Sequence, residues 1–100
     1  MKFPEIQTFN IEPDAKRQAL KVLEETAEFV EAAKQYIESD HTFEFYLRMT
    51  DEAADVYMAL ANALTLFHVS DEGFAEAVEM CEQRNRERGR YDLAKELNHE

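Results

Sequence analysis

Two acidic stretches hold the side chains whose types and spacing could do chemistry: Glu24-Glu25-Thr26-Ala27-Glu28 and Asp51-Glu52-Ala53-Ala54-Asp55. Residues three and four apart share a helical face. Glu24 therefore aligns with Glu28, Glu25 with Glu28, and Glu52 with Asp55. Like charges placed this way repel by roughly 0.2 to 0.5 kcal/mol per pair. A divalent cation would offset that repulsion, and hard carboxylate oxygens suit magnesium or manganese rather than zinc.

The second stretch also repeats the first. A shift of 27 residues lays Leu20 on Leu47, Lys21 on Arg48, Glu24 on Asp51, Glu25 on Glu52, Ala27 on Ala54, Glu28 on Asp55 and Ala32 on Ala59. If the two helices pack antiparallel across a short connection, their acidic faces meet at mid-height. Four or more carboxylate oxygens then converge on one point. The plainer reading is that these acids solvate outer helix faces. Against it, Glu28 is flanked by Ala27 and Phe29, and Asp55 by Ala54 and Val56, beside faces that the apolar pattern directs inward. Unpaired buried carboxylates are costly.

The elements that must position these acids are helical. The chain has 100 residues, two Gly and two Pro, is 45% hydrophobic, and is rich in Ala, Leu, Glu, Lys, Arg and Gln, the good helix formers. An all-α helical bundle follows, as one domain over residues 1–100. So short a chain buries a modest share of its unfolded surface and gains from an oligomeric partner. The net charge of −11 argues against nucleic acid as a partner, since that binding rests on Lys and Arg neutralising phosphates. Met1-Lys2-Phe3-Pro4-Glu5 lacks the apolar core of a secretory signal. Cys81 is the single cysteine, so no internal disulfide forms. Both features point to the cytoplasm. The longest apolar run, Val56 to Phe67, contains Asn62 and Thr65 and falls short of the ~20 residues a membrane span needs.

Residues 1–12 form an N-terminal arm or a short helix bearing Phe3, Ile6, Phe9 and Ile11. Pro13 and Asp14 suit the first turn of a helix running to about Glu38. That helix carries two apolar stripes, Leu20, Leu23, Ala27, Val30, Ile37 and Val22, Phe29, Ala33, Tyr36. Two stripes imply contact from two sides. Ser39-Asp40-His41-Thr42 makes a turn, and a second helix extends from about Thr42 to His68. Thr50 ahead of Asp51-Glu52 also reads as an N-cap, so a break there is open. The stretch Val56 to Phe67, apolar nearly all round, is expected to be buried against a second subunit. Ser70 caps a third helix, Asp71 to about Arg88, with Phe74, Ala77, Val78 and Cys81 facing inward and Gly89 as its stop. Tyr91 to Leu97 forms a last short turn of helix, and Asn98-His99-Glu100 frays.

Taken together, Glu24-Glu25-x-x-Glu28 and Glu52-x-x-Asp55 resemble the EExxE…ExxD signature of the MazG-like all-α nucleoside triphosphate pyrophosphohydrolases. That group is related to dimeric dUTPases and phosphoribosyl-ATP pyrophosphohydrolases. The similarity includes Lys21, the run Asp55-Val56-Tyr57 into an apolar helix, and Asn85-Arg86-Glu87-Arg88-Gly89-Arg90-Tyr91; it covers roughly Ala15 to Tyr91.

The resemblance implies a magnesium-dependent enzyme, manganese being a possible substitute, that cuts a nucleoside triphosphate between the α and β phosphates to monophosphate and pyrophosphate. Glu25, Glu28, Glu52 and Asp55 would be the metal ligands, and Glu24 would hold a water, a second ion or the nucleophile. The ion would bind phosphate oxygens and acidify a bound water, which a glutamate could orient or deprotonate. Lys21, Asn85 and Arg88 would form the cationic side, Arg being able to grip phosphate in a bidentate fork. Arg84, Arg86, Arg88 and Arg90 also complement a helix C-terminus. Many relatives carry a lysine four residues before the terminal asparagine; this chain has Cys81 there, with Arg84 or Lys21 as substitutes.

Asn62 lies seven residues after Asp55 and continues its face; it either contacts ribose or base or makes a structural hydrogen bond. Tyr36, Tyr57 and Phe29 read as core or as pocket lining, Cys81 as packing, and His41, His68 and His99 have no metal spacing. The resemblance implies nucleotide-pool housekeeping, and the short, apolar-striped chain is expected to act as a homodimer or homotetramer. The alternatives are phosphoribosyl-ATP hydrolysis and a non-enzymatic helical module that binds a cation or a basic partner.

Overall fold

The first helix begins where an acid caps it. Asp14, in extended backbone, accepts from the backbone N–H groups of Lys16 at 2.9 Å and Arg17 at 3.4 Å, so it satisfies donors that have no partner inside the helix. Asp14 thus precedes the helix instead of lying in its first turn. The computed structural model describes residues 1–9 and 14–97. Among them are four helices and no strand: α1 (Ala15–Glu38), α2 (Phe43–Leu66), α3 (Asp71–Glu87) and α4 (Arg90–Leu97). The all-α expectation holds. Expectations for Ile11, Pro13 and Asn98-His99-Glu100 lie outside the described residues.

The chain divides into two units, Met1–His68 and Val69–Glu100. In the first, α1 and α2 are antiparallel helices of 24 residues each. A tight turn joins them. Ser39 donates its hydroxyl to Tyr36 O and accepts from Thr42 N, while His41 N bonds Tyr36 O. Asp40 and His41 both take positive φ, 59° and 63°, a region that these residue types enter more readily than most. The His41 ring meets Tyr36 edge-on at 4.7 Å. No break occurs at Thr50, whose hydroxyl bonds Tyr46 O one turn back inside a continuous α2.

The seam between the helices follows alternating steps of four and three. On α1 it comprises Gln18, Val22, Glu25, Phe29, Ala32 and Tyr36, and on α2 Phe45, Met49, Glu52, Val56, Ala59, Ala63 and Leu66, all buried or half-buried. This is the coiled-coil pattern of interdigitating side chains. Gln18 Nε2 donates to Ala59 O at 3.3 Å inside the seam and helps set its register. The second α1 stripe points the opposite way. Leu20, Leu23, Val30 and Ile37 are 49%, 66%, 49% and 63% exposed. Of the two sides expected to be contacted, the chain itself covers one.

The expected burial of Val56 to Phe67 is likewise met on one face only: Ala59, Asn62 and Ala63 are buried, whereas Leu60 and Phe67 are exposed. Among the described residues of the first unit, α1 is the one helix that packs on α2, and it covers that face. Residues 1–9 are an arm without helix, and they lie against α2: Phe3 stacks on Tyr57 at 5.1 Å, Tyr57 Oη donates to Pro4 O at 2.6 Å, and Phe9 N donates to Asn62 Oδ1 at 2.8 Å.

In the second unit Ser70 caps α3 by accepting from Gly73 N at 3.0 Å. Arg88 closes the helix, and Gly89, at φ +67°, turns the chain into α4, a conformation glycine adopts without steric cost. Phe74, Ala77, Val78 and Cys81 were expected to face inward, but all four are exposed. The eight residues of α4 meet α3 beyond the Gly89 turn, and no described residue of this unit is buried except partially Asn85 and Gly89.

Candidate metal centre

Midway along the α1–α2 seam the apolar pattern is interrupted by acids. Glu25 and Glu52 occupy seam positions themselves, between Val22 and Phe29 on one helix and Met49 and Val56 on the other. One turn further along each helix, Glu28 and Asp55 stand on the exposed flank of the same seam. Carboxylate oxygens of Glu25, Glu52 and Asp55 lie within 4.8 Å of one another. Glu28 is within hydrogen-bonding reach of both Glu25 and Glu52. The four acids named from the sequence are therefore together, two from each helix, because the antiparallel register brings the middle of α1 onto the middle of α2.

Burial in the seam pushes the Glu25 carboxyl above its ordinary 4.5, and the charge of Glu28, a hydrogen bond with it and the charge of Asp55 push the same way, with Lys21 pulling back. Glu52 is raised for the same reasons, burial first, then Glu28 and Asp55, with Arg48 pulling back. The Glu52 Oε2 atom is shut off from solvent with no hydrogen-bond partner among the described residues. An orphaned buried oxygen among mutually repelling carboxylates is an energetically poor arrangement by itself. It fits a hard divalent cation: the donors are all carboxylate oxygens, with no His or Cys to favour zinc. Glu28 and Asp55 are the outer pair, so the cluster faces solvent on their side.

The other expected site residues fall in different places. Glu24 is exposed on α1, one turn before Glu28. Lys21 is exposed one turn before Glu25 and acts on it electrostatically. Asn62 is 6% exposed, and its Oδ1 is occupied by the Phe9 N–H. Asn85 and Arg88 belong to the second unit. There Asn85 Oδ1 accepts from Arg90 Nη1 at 2.9 Å and its Nδ2 contacts Cys81 Sγ at 4.0 Å, while Arg88 is the C-cap of α3. Arg48, beside Glu52, was not among the expected site residues. Its signal was present, since the 27-residue shift lays Lys21 on Arg48.

No helix among the described residues is long and apolar enough to cross a membrane. Compared with known proteins, the chain significantly matches no family model, no curated protein and no solved structure.

Proposed function

We propose that this protein is a magnesium-dependent nucleoside triphosphate pyrophosphohydrolase that releases nucleoside monophosphate and pyrophosphate. The observation that carries the reading is the convergence of Glu25, Glu52 and Asp55 oxygens within 4.8 Å, with Glu28 beside them. Mutual repulsion and an orphaned Glu52 Oε2 make this a costly arrangement for structure alone. A cation site gives it a use. The order of acids along the chain, similar to the EExxE…ExxD signature, supports the phosphate chemistry.

In this reading Glu25, Glu28, Glu52 and Asp55 hold magnesium, or manganese in its place. When bound there, the ion supplies phosphate-oxygen coordination, charge neutralisation and acidification of water. Glu24, exposed and one turn from Glu28, orients the attacking water and takes its proton. Lys21 draws the phosphate chain toward the outer side of the cluster. Asn62 serves ribose or base once its bond to the arm is exchanged.

The exposed stripe Leu20, Leu23, Val30 and Ile37 supports a homodimer or homotetramer, because a helix with apolar residues on two opposite faces calls for two neighbours. Nucleotide-pool housekeeping in the cytoplasm is the role that suits such an enzyme.

Phosphorus NMR of the products from a panel of ordinary and modified nucleoside triphosphates, each with magnesium and with EDTA, tests the reaction. Monophosphate plus pyrophosphate, dependent on metal, is the expected result. Diphosphate plus inorganic phosphate would move the cleaved bond, and no turnover of any nucleoside triphosphate would overturn this reading in favour of phosphoribosyl-ATP hydrolysis or the non-enzymatic module.

A further inference from the structure

The α1–α2 pair is internally two-fold. Its helices are equal in length, and the 27-residue shift carries Lys21, Glu25 and Glu28 onto Arg48, Glu52 and Asp55. Because the helices are antiparallel and the four acids meet at mid-seam, the pseudo-two-fold axis passes through the acid cluster. An axis perpendicular to the plane of an antiparallel pair keeps equivalent residues on the same side of that plane. Lys21 and Arg48 therefore share the face that presents Glu28 and Asp55. Each lies four residues before its glutamate, a rise of about 6 Å, and the opposite chain directions put the two cations at opposite ends of the cluster.

Both cations are exposed, and neither closes an ion pair within 4.0 Å among the described residues. They are near enough to act on Glu25 and Glu52 by charge without being consumed by them. We infer that Arg48 is a second polyphosphate-binding cation, placed by the pseudo-two-fold at the far end of the acid cluster from Lys21. The inference rests on the enzyme reading above and deepens it, because a phosphate chain carries negative charge along its whole length. A cluster of four carboxylates with one divalent ion remains net negative. Cations at both ends let such a chain lie across it, and the guanidinium of Arg48 grips phosphate oxygens in pairs where Lys21 offers a point charge.

The test compares wild type, Arg48→Ala and Arg48→Lys for KM and kcat on a nucleoside triphosphate turned over by the wild type, and by calorimetry for binding of magnesium tripolyphosphate and of magnesium alone. Arg48→Ala is expected to weaken tripolyphosphate binding and raise KM by about ten- to a hundredfold, the loss typical of a hydrogen bond to a charged group. Magnesium alone should bind as well or more tightly, because a positive charge has left the neighbourhood of four acids, and Arg48→Lys should recover part of the phosphate affinity. A purely structural Arg48 would instead lower the melting temperature and magnesium affinity together. Unchanged KM and tripolyphosphate binding in Arg48→Ala, with an active wild type, would overturn this inference alone. A wild type that neither binds magnesium tripolyphosphate nor hydrolyses any nucleotide would overturn the enzyme reading and Arg48 with it.

Discussion

Glu25 of α1 and Glu52 of α2 face each other across an antiparallel seam, with carboxylate oxygens within 4.8 Å of each other and of Asp55. Their neighbours along the seam are Val22 and Phe29 on α1 and Met49 and Val56 on α2. Burial and neighbouring acids raise both carboxyls above 4.5. The same contact that joins the helices is therefore strained by charge in the absence of a counterion.

That strain has a definite pH dependence. An acid whose folded pKa exceeds its unfolded value keeps its proton longer in the folded state, so stability falls as pH rises from the unfolded value through the folded one. In EDTA, the melting temperature should decline as pH is raised above about 4.5, the ordinary carboxyl value from which both glutamates are shifted upward. Magnesium should reverse the decline, and its stabilising effect should grow with pH because only the ionised acids bind it. Scanning calorimetry at several pH values with and without magnesium reads this directly. A magnesium effect that does not vary with pH would contradict it.

Glu52→Gln separates the cost of the acid from its use. The substitution keeps the shape and removes a charge that Glu28 and Asp55 repel. Without metal the variant should melt higher than wild type. Magnesium should then stabilise it little, and metal-dependent turnover should be lost. If Glu52→Gln melts lower in EDTA, the Glu52 carboxylate is held by a favourable contact and the predicted repulsion is wrong.

In the proposed mechanism Glu24 acts on the attacking water, and the fold does not depend on it. It is exposed and outside the seam, so Glu24→Gln should leave the melting temperature nearly unchanged. Turnover should drop by about 10² to 10⁴-fold, the range of a lost general base. Steady-state kinetics beside a thermal melt checks both halves. Equal activity in the variant would remove Glu24 from the mechanism.

Asn62 ties the arm to α2 through the Phe9 N–H at 2.8 Å. Asn62→Ala removes the buried partner of that part-buried bond and leaves space where a 6% exposed side chain packed, and should cost about 1 to 3 kcal/mol in urea unfolding. Tyr57→Phe removes the bond to Pro4 O, but Pro4 is exposed and water can replace the hydroxyl. Its cost should be smaller, about 0.5 to 1.5 kcal/mol. The reverse order would mean that the arm is held mainly at Tyr57.

Much of this arrangement was legible from residue types. The helices and their connection follow from composition, from Ser39 to Thr42 and from Gly89, and one of the two apolar stripes read on α1 is the face that α2 covers. What could not be read was which stripe α2 covers, since Val22, Phe29, Tyr36 and Leu20, Leu23, Val30 are equally apolar. The depth of Glu25 and Glu52 was missed because their charge hid them from an apolar count. Extending the four-three steps through Val22, Glu25, Phe29 and through Met49, Glu52, Val56 would have found them. The arm's anchors were beyond reach, since both use backbone groups of Pro4 and Phe9, which no residue identity reveals.

The exposed stripe of α1 carries the remaining expectation. Leu20, Leu23, Val30 and Ile37 face away from α2 along the same helix that presents the acids. Each such side chain, once fully buried, contributes about 1.5 to 3 kcal/mol. Two copies pairing through this face would bury eight of them. Light scattering of the wild type should therefore report a multiple of 11.7 kDa. The double variant Leu23→Glu, Val30→Glu places charges in the middle of the stripe, on the side of α1 opposite the seam. It should shift the protein to 11.7 kDa while leaving helicity by circular dichroism and magnesium binding intact, because no seam residue or proposed ligand is altered. A wild type that is a stable monomer, or a double variant that stays oligomeric, would show that this face has another use.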